Sequence, residues 1–526
     1  MDFIHTHLLT LILFIPLVGA GLIALLPREQ GKLIKWAALL ISLLPLALSI
    51  VMVVNFRPEA PGFQFPDQAL WFPQIGSSYH VGVDGISVAM VLLTTLLTPL
   101  ALLISFSIEE DVRAFFALFL MLEGGMLGVF VSLDLILFFL FWEIGLVPMY
   151  FLINRWGSKK GEREIWAGIK VPSRTYAAFK FMIYTMVGSL GLLLAIQVIG
   201  VVAGAAQNEP AMFDIVRLYE FWPNFTGTLF GLPISTIKTI GFWLFAIAFS
   251  VKVPVWPFHT WLPDAHTEAP TAGSMILAGV LLKLGAYGFL RLVLPLFPDQ
   301  AAAAAGVFAV LGLAAAVVGG LAALGQDDFK RLVAYSSVGH MGFVVLGIAV
   351  AAKAMGGGVD AADAVIATNG AVLQMFNHGL SAAAMFALVG MVYERAHTRD
   401  LKAFGGLGVV VPAYGGVLLF CTLASLGLPG LNGFVSEFMV FRGAWPVFTL
   451  VTALATLGLI FTAAYLLWTI QKVLLGPLNE TWRDMKEINA REAVAIVPLM
   501  ALMLLIGVWP SWLINIFNAA VMRLLG

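Results

Sequence analysis

Residues 241–258 read GFWLFAIAFSVKVPVWPF, an apolar run with one lysine, Lys252, followed by Pro254 and Pro257. The run is apolar enough for a bilayer interior, where a lysine costs about 2.5–3.5 kcal/mol on insertion scales. Proline removes a helix hydrogen bond and clashes with the preceding turn. The stretch therefore predicts a broken transmembrane helix with a charge beside the break, a pattern typical of ion transport.

A second interrupted segment lies later in the chain. Residues 425–438 read SLGLPGLNGFVSEF, with Pro429 and Gly430 shortly before Glu437. Broken helices in corresponding places indicate inverted repeats with ion sites near the midplane. The two breaks lie five spans apart. Because five is odd, corresponding helices cross the membrane in opposite directions, so we expect two five-helix units of opposite orientation. Two ordinary proline kinks are the alternative.

Apolar runs of bilayer length follow one another through the whole chain. The 526 residues are 60% hydrophobic and 11% charged, against about 25% charged in a soluble domain. Because a spanning helix needs about 20 apolar residues, we predict an all-α membrane protein of about fourteen spans. The predicted spans are 8–26, 35–55, 84–107, 112–132, 134–153, 174–203, 238–262, 270–296, 302–324, 330–352, 364–393, 408–442, 446–474 and 492–517. The predicted divisions are an N-terminal three-helix segment (1–107), a first repeat (112–296), a second inverted repeat (302–474), and an inner-side loop with the last helix (475–526).

The basic residues predict the orientation. Most lysines and arginines outside the spans fall in alternate loops, and such loops usually face the cytoplasm. Both termini are then expected on the outer side. The segment before residue 8 carries no lysine or arginine, which favours a retained first span over a cleaved signal peptide. The composition favours a bacterial inner membrane, and the net charge of −1 gives no indication of nucleic-acid binding.

Charged residues inside the spans are the candidate functional residues. Glu143 lies in the fifth span and Lys252 at the break of the seventh. A buried lysine holds or releases its proton according to the carboxylates near it, so this pair is a candidate proton switch. A static structural ion pair is the alternative.

Lys283, in the eighth span, has only Tyr287 as a polar neighbour one turn away. Its partners must lie on other helices, and His340 and His378 are the candidates because histidine can pass a proton in either direction. Glu437 would complete the series. The alternative is that each histidine is an ordinary core residue.

Other polar residues rank lower. Glu123 is a possible second acid, Lys180 can extend toward the inner surface, and His259 and His266 lie in a polar loop over the broken helix. The spacing of these histidines does not fit a metal chelate. The single cysteine, Cys421, excludes an internal disulfide or an iron–sulfur site. We therefore expect neither a metal nor a cofactor in this chain.

Four segments resemble the antiporter-like subunits of respiratory complex I. They are VPVWPFHTWLPDAHTEAPTAGSMILAGVLLKLGAYGFLRL (253–292), FFLFWEIGLVPMY (138–150), DFKRLVAYSSVGHMG (328–342) and LPGLNGFVSEF (428–438). Within that family the chain is similar to the chain M group, the counterpart of mitochondrial subunit four. In this group the residue corresponding to Glu437 is glutamate, whereas chains L and N carry lysine. The chain also ends soon after its last span, whereas chain L continues into a long amphipathic helix.

The resemblance implies fourteen helices, two inverted repeats and proton-transfer roles for Glu143, Lys252, Lys283, His340, His378 and Glu437. It implies a proton-translocating subunit, part of an enzyme but itself without a cofactor. NAD, FMN, iron–sulfur clusters and quinone are expected elsewhere in the complex. The expected partners are the other membrane-arm subunits, including two antiporter-like ones, and the lipid bilayer. The alternatives are a subunit of a cation/proton antiporter or membrane-bound hydrogenase, or a structural scaffold in the membrane arm.

Overall fold

The fold is helical almost throughout, as a computed structural model that describes residues 5–166, 168–229 and 231–526 shows. Within those residues, thirteen helices are long and apolar enough to cross a membrane. These helices are α1 (Leu8–Leu25), α2 (Gly31–Asn55), α3 (Gly85–Ile104), α4 (Val112–Val131), α5 (Leu135–Trp156), α6 (Ser173–Ala206), α7a (Ile234–Lys252), α8 (Thr271–Leu296), α9 (Pro298–Leu324), α10 (Phe329–Met355), α11 (Ala361–Ala396), α13 (Thr449–Val473) and α14 (Ala490–Val508). The chain is thus a multi-pass membrane protein of the predicted all-α class.

Shorter helices complete the predicted spans. The seventh span continues as α7b (Trp261–Glu268), and the twelfth consists of α12a (Pro412–Leu426) and α12b (Asn432–Ala444). The stretch predicted as one last span is two helices, α14 and α15 (Ser511–Leu525). Among the residues that the structure describes, three small antiparallel hairpins lie between helices; the largest pairs β1 (Gln64–Phe72) with β2 (Ser77–Val83).

Both predicted breaks are present. Helix α7a ends at Lys252, and the indole nitrogen of Trp261 donates to the carbonyl of Val251 at 3.0 Å, which satisfies a backbone group freed by the break. Gly427 and Gly430, with φ of 83° and 92°, lie between α12a and α12b. Only glycine adopts such angles without strain. The polar loop predicted around His259 and His266, over the broken helix, instead contains the buried helix α7b.

The core of the bundle lies around α8 and α11. The most apolar stretches of these two helices are wholly buried, whereas those of α2, α13 and α14 are only one-third buried. Helix α8 contains two π-helical stretches, Leu277–Leu281 and Phe289–Val293. Such stretches widen a helix and are frequent at functional sites.

The two predicted five-helix units share local structure at corresponding positions. Asp134 caps the start of α5 and Asp328 caps the start of α10, and each forms an isolated β-bridge, with Asp214 and Asp400 respectively. The glycine contacts correspond as well. A Cβ on Gly125 would lie 2.7 Å from the nitrogen of Gly145, and one on Gly319 would lie 2.7 Å from the nitrogen of Gly339. The same number of positions separates Asp134 from Asp328, Gly125 from Gly319 and Gly145 from Gly339.

Candidate functional site

The first group of buried charges is Lys252 with Glu143. Lys252 is the last residue of α7a and is 3% exposed. Its Nζ lies 4.9 Å from the ring centroid of Trp142, a cation–π contact. Glu143 is close enough for its charge to act on Lys252, but no ion pair of 4.0 Å or less joins them in the described part of the chain. Glu143 and Lys252 therefore lie near each other without a direct ion pair in the described structure, and the ring of Trp142 lies beside the lysine ammonium.

The second group begins at Lys283, which is fully buried in α8. Its Nζ donates to the carbonyl of Ala278, within the π-helical stretch Leu277–Leu281, and lies 2.7 Å from Nδ1 of His378. The lysine thus contacts one of the two histidines that the sequence proposed as its partner. This contact joins α8 to α11 in the centre of the bundle.

The row of contacts continues through the second histidine to a carboxylate. The ring centroids of His378 and His340 are 5.6 Å apart. Nδ1 of His340 lies 3.1 Å from Oε1 of Glu437. A small cavity of about 10 Å³ borders both rings, which is room for about one water molecule. Its other polar lining residues are Ser336, Ser381 and Ser425.

A clasp of amide and hydroxyl side chains holds α12b against α11. Asn377 donates to the carbonyl of Asn432 at 2.7 Å, and Asn432 donates back to the carbonyl of Asn377 at 3.2 Å. Gln374 donates to Glu437 at 3.4 Å and accepts from Ser436 at 2.5 Å. The clasp fixes the position of Glu437 beyond the break. Sequence reasoning overlooked Gln374 and Asn432, although Gln374, Asn377, His378 and Ser381 share one helix face at intervals of three and four.

The two groups are separated by close apolar packing. A Cβ on Gly285 would lie 2.7 Å from the carbonyl oxygen of Phe249, so α8 and α7a touch at backbone distance between Lys252 and Lys283. No hydrogen bond between the two lysines exists in the portion of the chain that is described. The structure therefore connects Lys283 with Glu437 by contact, but not Lys252 with Lys283.

The lower-ranked candidates have different surroundings. Glu123 and His266 are fully buried. Among the described residues, the two carboxylate oxygens of Glu123 and the two ring nitrogens of His266 have no hydrogen-bond partner. The ring of His266 stacks on Phe386 at 4.5 Å. His259 is 8% exposed and its ring lies 6.2 Å from that of Tyr335. Among the described residues, no group of three or more His, Cys, Asp and Glu side chains is arranged to hold a metal ion.

One group of charged residues, centred on Asp264 of α7b, was not predicted. The carboxylate of Asp264 lies 2.7 Å from Lys180, 3.3 Å from Arg163 and 3.5 Å from Arg331. Lys180 is therefore paired and not simply extended toward the surface. The sequence shows Asp264 as an acid in an apolar segment, but the partners of its carboxylate come from three distant places in the chain.

Next to this group a cavity of about 340 Å³ reaches into the bundle. It is lined by the first residue of α8, Thr271, and by charged side chains on the loops predicted to face inward. The charged lining residues are Lys159, Lys160, Glu268, Lys330, Glu394 and Arg399. The cavity thus lies beside the C-terminal end of α7b and the start of α8.

The geometry agrees with the comparisons to known proteins. The sequence model of the family "NADH:quinone oxidoreductase/Mrp antiporter, TM" matches residues 132–462. The chain is 41% identical to NADH-quinone oxidoreductase subunit M of Rhodobacter capsulatus, over 98% of this chain and 96% of that protein. It is 36% identical to subunit M of Rickettsia conorii, over 98% of each.

Solved structures give the same result. A chain of respiratory complex I from Thermus thermophilus with bound NADH superposes with a TM-score of 0.83 at 28% identity, covering 98% of this chain and all of that one. A chain of the Mrp complex from Dietzia sp. superposes with a TM-score of 0.81 at 20% identity, covering 99% and 97%, which shows a shared fold. The sequence-based assignment is confirmed: the chain belongs to the NADH-quinone oxidoreductase subunit M family.

Proposed function

We propose that this chain translocates protons as a cofactor-free membrane-arm subunit of a proton-pumping NADH:quinone oxidoreductase. Electron transfer takes place in other subunits and drives the pump through changes in charge or conformation. The observation that carries the proposal is the row Lys283–His378–His340–Glu437, whose members are buried and lie side by side. Intramembrane ionisable residues arranged in this way form proton relays in pumps and transporters.

The row moves a proton by a series of balanced transfers. The Lys283 ammonium releases a proton to Nδ1 of neutral His378, which then releases its own proton from Nε2. His340 accepts at Nε2 and releases from Nδ1 to the carboxylate of Glu437. Each neutral imidazole has one accepting and one donating nitrogen, so each ring can receive and release at opposite sides. The Nε2 atoms of both rings have no partner in the described structure, which leaves them available for the step between the rings.

Lys252 and Glu143 control proton transfer in the first five-helix unit. Their charges interact without forming a fixed ion pair, so a small movement of either side chain changes the energy of the other. We place the proton inlet at the cavity beside α7b, where Glu268 and Lys330 border water-accessible space. His266, buried next to this region, lies within electrostatic range of both Lys330 and Lys283.

We also propose that the two five-helix units are inverted repeats. The matched caps at Asp134 and Asp328 and the matched glycine contacts support this. The orientation with both termini outside in a bacterial inner membrane is part of the same proposal, and it rests on the distribution of lysine and arginine.

The test replaces Lys283 by methionine, which keeps the length of the side chain and removes the proton site. In vesicles that carry the assembled complex, Lys283→Met should abolish NADH-driven proton transport that depends on quinone, while NADH oxidation by an artificial acceptor continues. Lys238→Met is the matched control, since Lys238 is also buried but its contacts in the described structure, with the carbonyl of Pro223 and the ring of Trp222, include no member of the row. Normal transport by Lys283→Met would refute the proposed function. Sodium dependence of the transport in the wild type would favour the antiporter alternative.

A further inference from the structure

A second cavity, of about 330 Å³, lies at the opposite end of α8 from the inlet. It is bordered by Asp84, at the start of α3, and by Arg291, near the end of α8. Gly62 and Arg523, from the β1 region and α15, complete its rim. All of these residues belong to segments that the charge distribution places on the outer side. Helix α8 thus begins at one cavity and ends at the other, with Lys283 between them.

A chain of polar groups leads from this cavity toward Lys283. The hydroxyls of Tyr287 and Ser87 are 2.8 Å apart. The backbone nitrogen of Ser87 in turn donates to the carboxylate of Asp84 at 3.0 Å, and Nη2 of Arg291 donates both to that carboxylate, at 2.6 Å, and to the Ser87 hydroxyl, at 2.8 Å, which holds the two oxygens close together. Tyr287 and Ser87 are almost wholly buried, whereas the Asp84 side chain is 14% exposed. The chain therefore passes from the dry interior to a carboxylate at the cavity.

Tyr287 follows Lys283 by four residues on α8. Residues at this spacing are neighbours on a helix face, so Tyr287 lies one turn from Lys283. Eight residues of helix, from Lys283 to Arg291, span about 12 Å. The distance from the lysine to the outer cavity is thus short.

We infer that Tyr287, Ser87 and Asp84 form a proton outlet from Lys283 to the outer side, separate from the route through Glu437. This inference rests on the proposed function. A proton leaving Lys283 binds the oxygen of Tyr287 through a bridging water, and Tyr287 passes its own proton to Ser87. Ser87 passes its proton to the Asp84 carboxylate, which becomes a carboxylic acid and releases the proton into the cavity. At each oxygen one O–H bond forms as another breaks.

Two features of the contacts suit this role. The Tyr287 hydroxyl has two acceptors within reach, Ser87 and the carbonyl of Phe130 at 2.9 Å. The Ser87 hydroxyl contacts that of Tyr287, and Nη2 of Arg291, which donates to both Ser87 and Asp84, holds it close to the Asp84 carboxylate. A hydroxyl with two acceptors can turn from one to the other, which a proton wire requires after each transfer.

Arg291 is a positioning residue in this arrangement. It donates to Asp84 at 2.6 Å, to Ser87 at 2.8 Å and to Tyr287 at 3.0 Å, so it contacts every member of the chain. Arginine stays protonated in proteins and cannot carry the proton itself. It holds the three oxygens in place and balances the charge of Asp84.

The decisive comparison is Tyr287→Phe against Tyr219→Phe. Tyr219 lines the same cavity and its hydroxyl donates to the carbonyl of Arg291, but in the described part of the chain it forms no hydrogen bond with Ser87 or Asp84. Each variant removes one hydroxyl at the same place in the fold. With assembly of the complex verified, Tyr287→Phe should lower proton transport coupled to quinone reduction at least about a hundredfold, the low end of losses expected when a proton-transfer group is removed. It should also raise the solvent deuterium isotope effect on turnover, and Tyr219→Phe should change neither.

A second pair of variants tests the middle of the wire. Ser87→Ala should lose transport, and Ser87→Thr, which keeps a hydroxyl, should restore it. Equal losses in Tyr287→Phe and Tyr219→Phe, or full transport in Tyr287→Phe and Ser87→Ala, would overturn the outlet. If these variants pump normally while Lys283→Met does not, the outlet is wrong and the proposed function stands. If Lys283→Met also pumps normally, both are wrong.

Discussion

Glu437 offers the sharpest test of the histidine row, because one substitution removes its ability to accept a proton and leaves its shape unchanged. In Glu437→Gln the side chain keeps its volume, and its contact with Gln374 can be retained by the remaining carbonyl oxygen. What is lost is the charged acceptor 3.1 Å from Nδ1 of His340. A hydrogen bond to a charged group contributes about 1.5–3 kcal/mol. At about 1.4 kcal/mol for each factor of ten in rate, the transfer from His340 should slow by about 10- to 150-fold.

The assay is proton uptake into inverted membrane vesicles during NADH oxidation by quinone, with oxidation by an artificial acceptor as the measure of assembled enzyme. Glu437→Asp is the informative partner variant: it keeps the carboxylate but withdraws it by one C–C bond, about 1.5 Å, so it should fall between the wild type and Glu437→Gln. Glu480→Gln, at an exposed surface ion pair with Arg483, is the control and should have no effect. Transport in Glu437→Gln at more than half the wild-type rate would refute the row as the route of the proton.

Three further outcomes follow from the contacts. Lys252→Met should abolish coupled transport while the complex still assembles, as native gel electrophoresis and artificial-acceptor activity can show; full coupled activity would contradict a role for Lys252. Gly125→Leu places a side chain against the backbone of Gly145 and should prevent accumulation of the complex, whereas Gly21→Leu, which points into open space, should not. Asp134→Ala removes a cap that accepts from two backbone nitrogens and should cost about 1 kcal/mol, measurable as a lower melting temperature of the purified complex, with no change in proton transport per NADH.

The helices and their breaks could be predicted from the sequence because they depend on interactions between residues close together in the chain. A run of apolar residues, a proline and a glycine each act within a few positions. This is why the ends of α7a and the gap between α12a and α12b lie where the prolines and glycines predict. Buried polar helices are harder. Helix α7b contains charged residues in an apolar bundle, so its composition resembles that of a loop, and only contacts with other helices reveal its burial.

The candidate site could be predicted from the sequence only in part. A lysine such as Lys283, isolated in an apolar span, must find partners on other helices, and histidines in neighbouring spans are plausible ones. Which atoms meet depends on helix rotation and crossing, which sequence periodicity does not fix. The sequence therefore suggested the neighbours of Lys283 and grouped Glu143 with Lys252 as a candidate proton switch, but it did not show that the two would lie near each other without an ion pair in the described structure. It also overlooked the salt bridges of Asp264, whose partners are far apart in the chain.

The separation of Lys252 from the histidine row determines how the two can communicate. With backbone contact at Gly285 and no hydrogen bond between the lysines in the described structure, a proton does not pass directly from one to the other. The axes of packed helices lie about 8–10 Å apart, and repulsion between charges at about that separation needs no hydrogen bond. Two unit charges at about 10 Å in an effective dielectric constant of about 20 repel by about 1.7 kcal/mol. This is close to the work of about 2.3 kcal/mol needed to move one charge against 100 mV. Under the proposed function, a proton arriving at Lys252 would favour release of one from Lys283 through this repulsion, and Lys252→Met should stop transport without changing the contacts of the row.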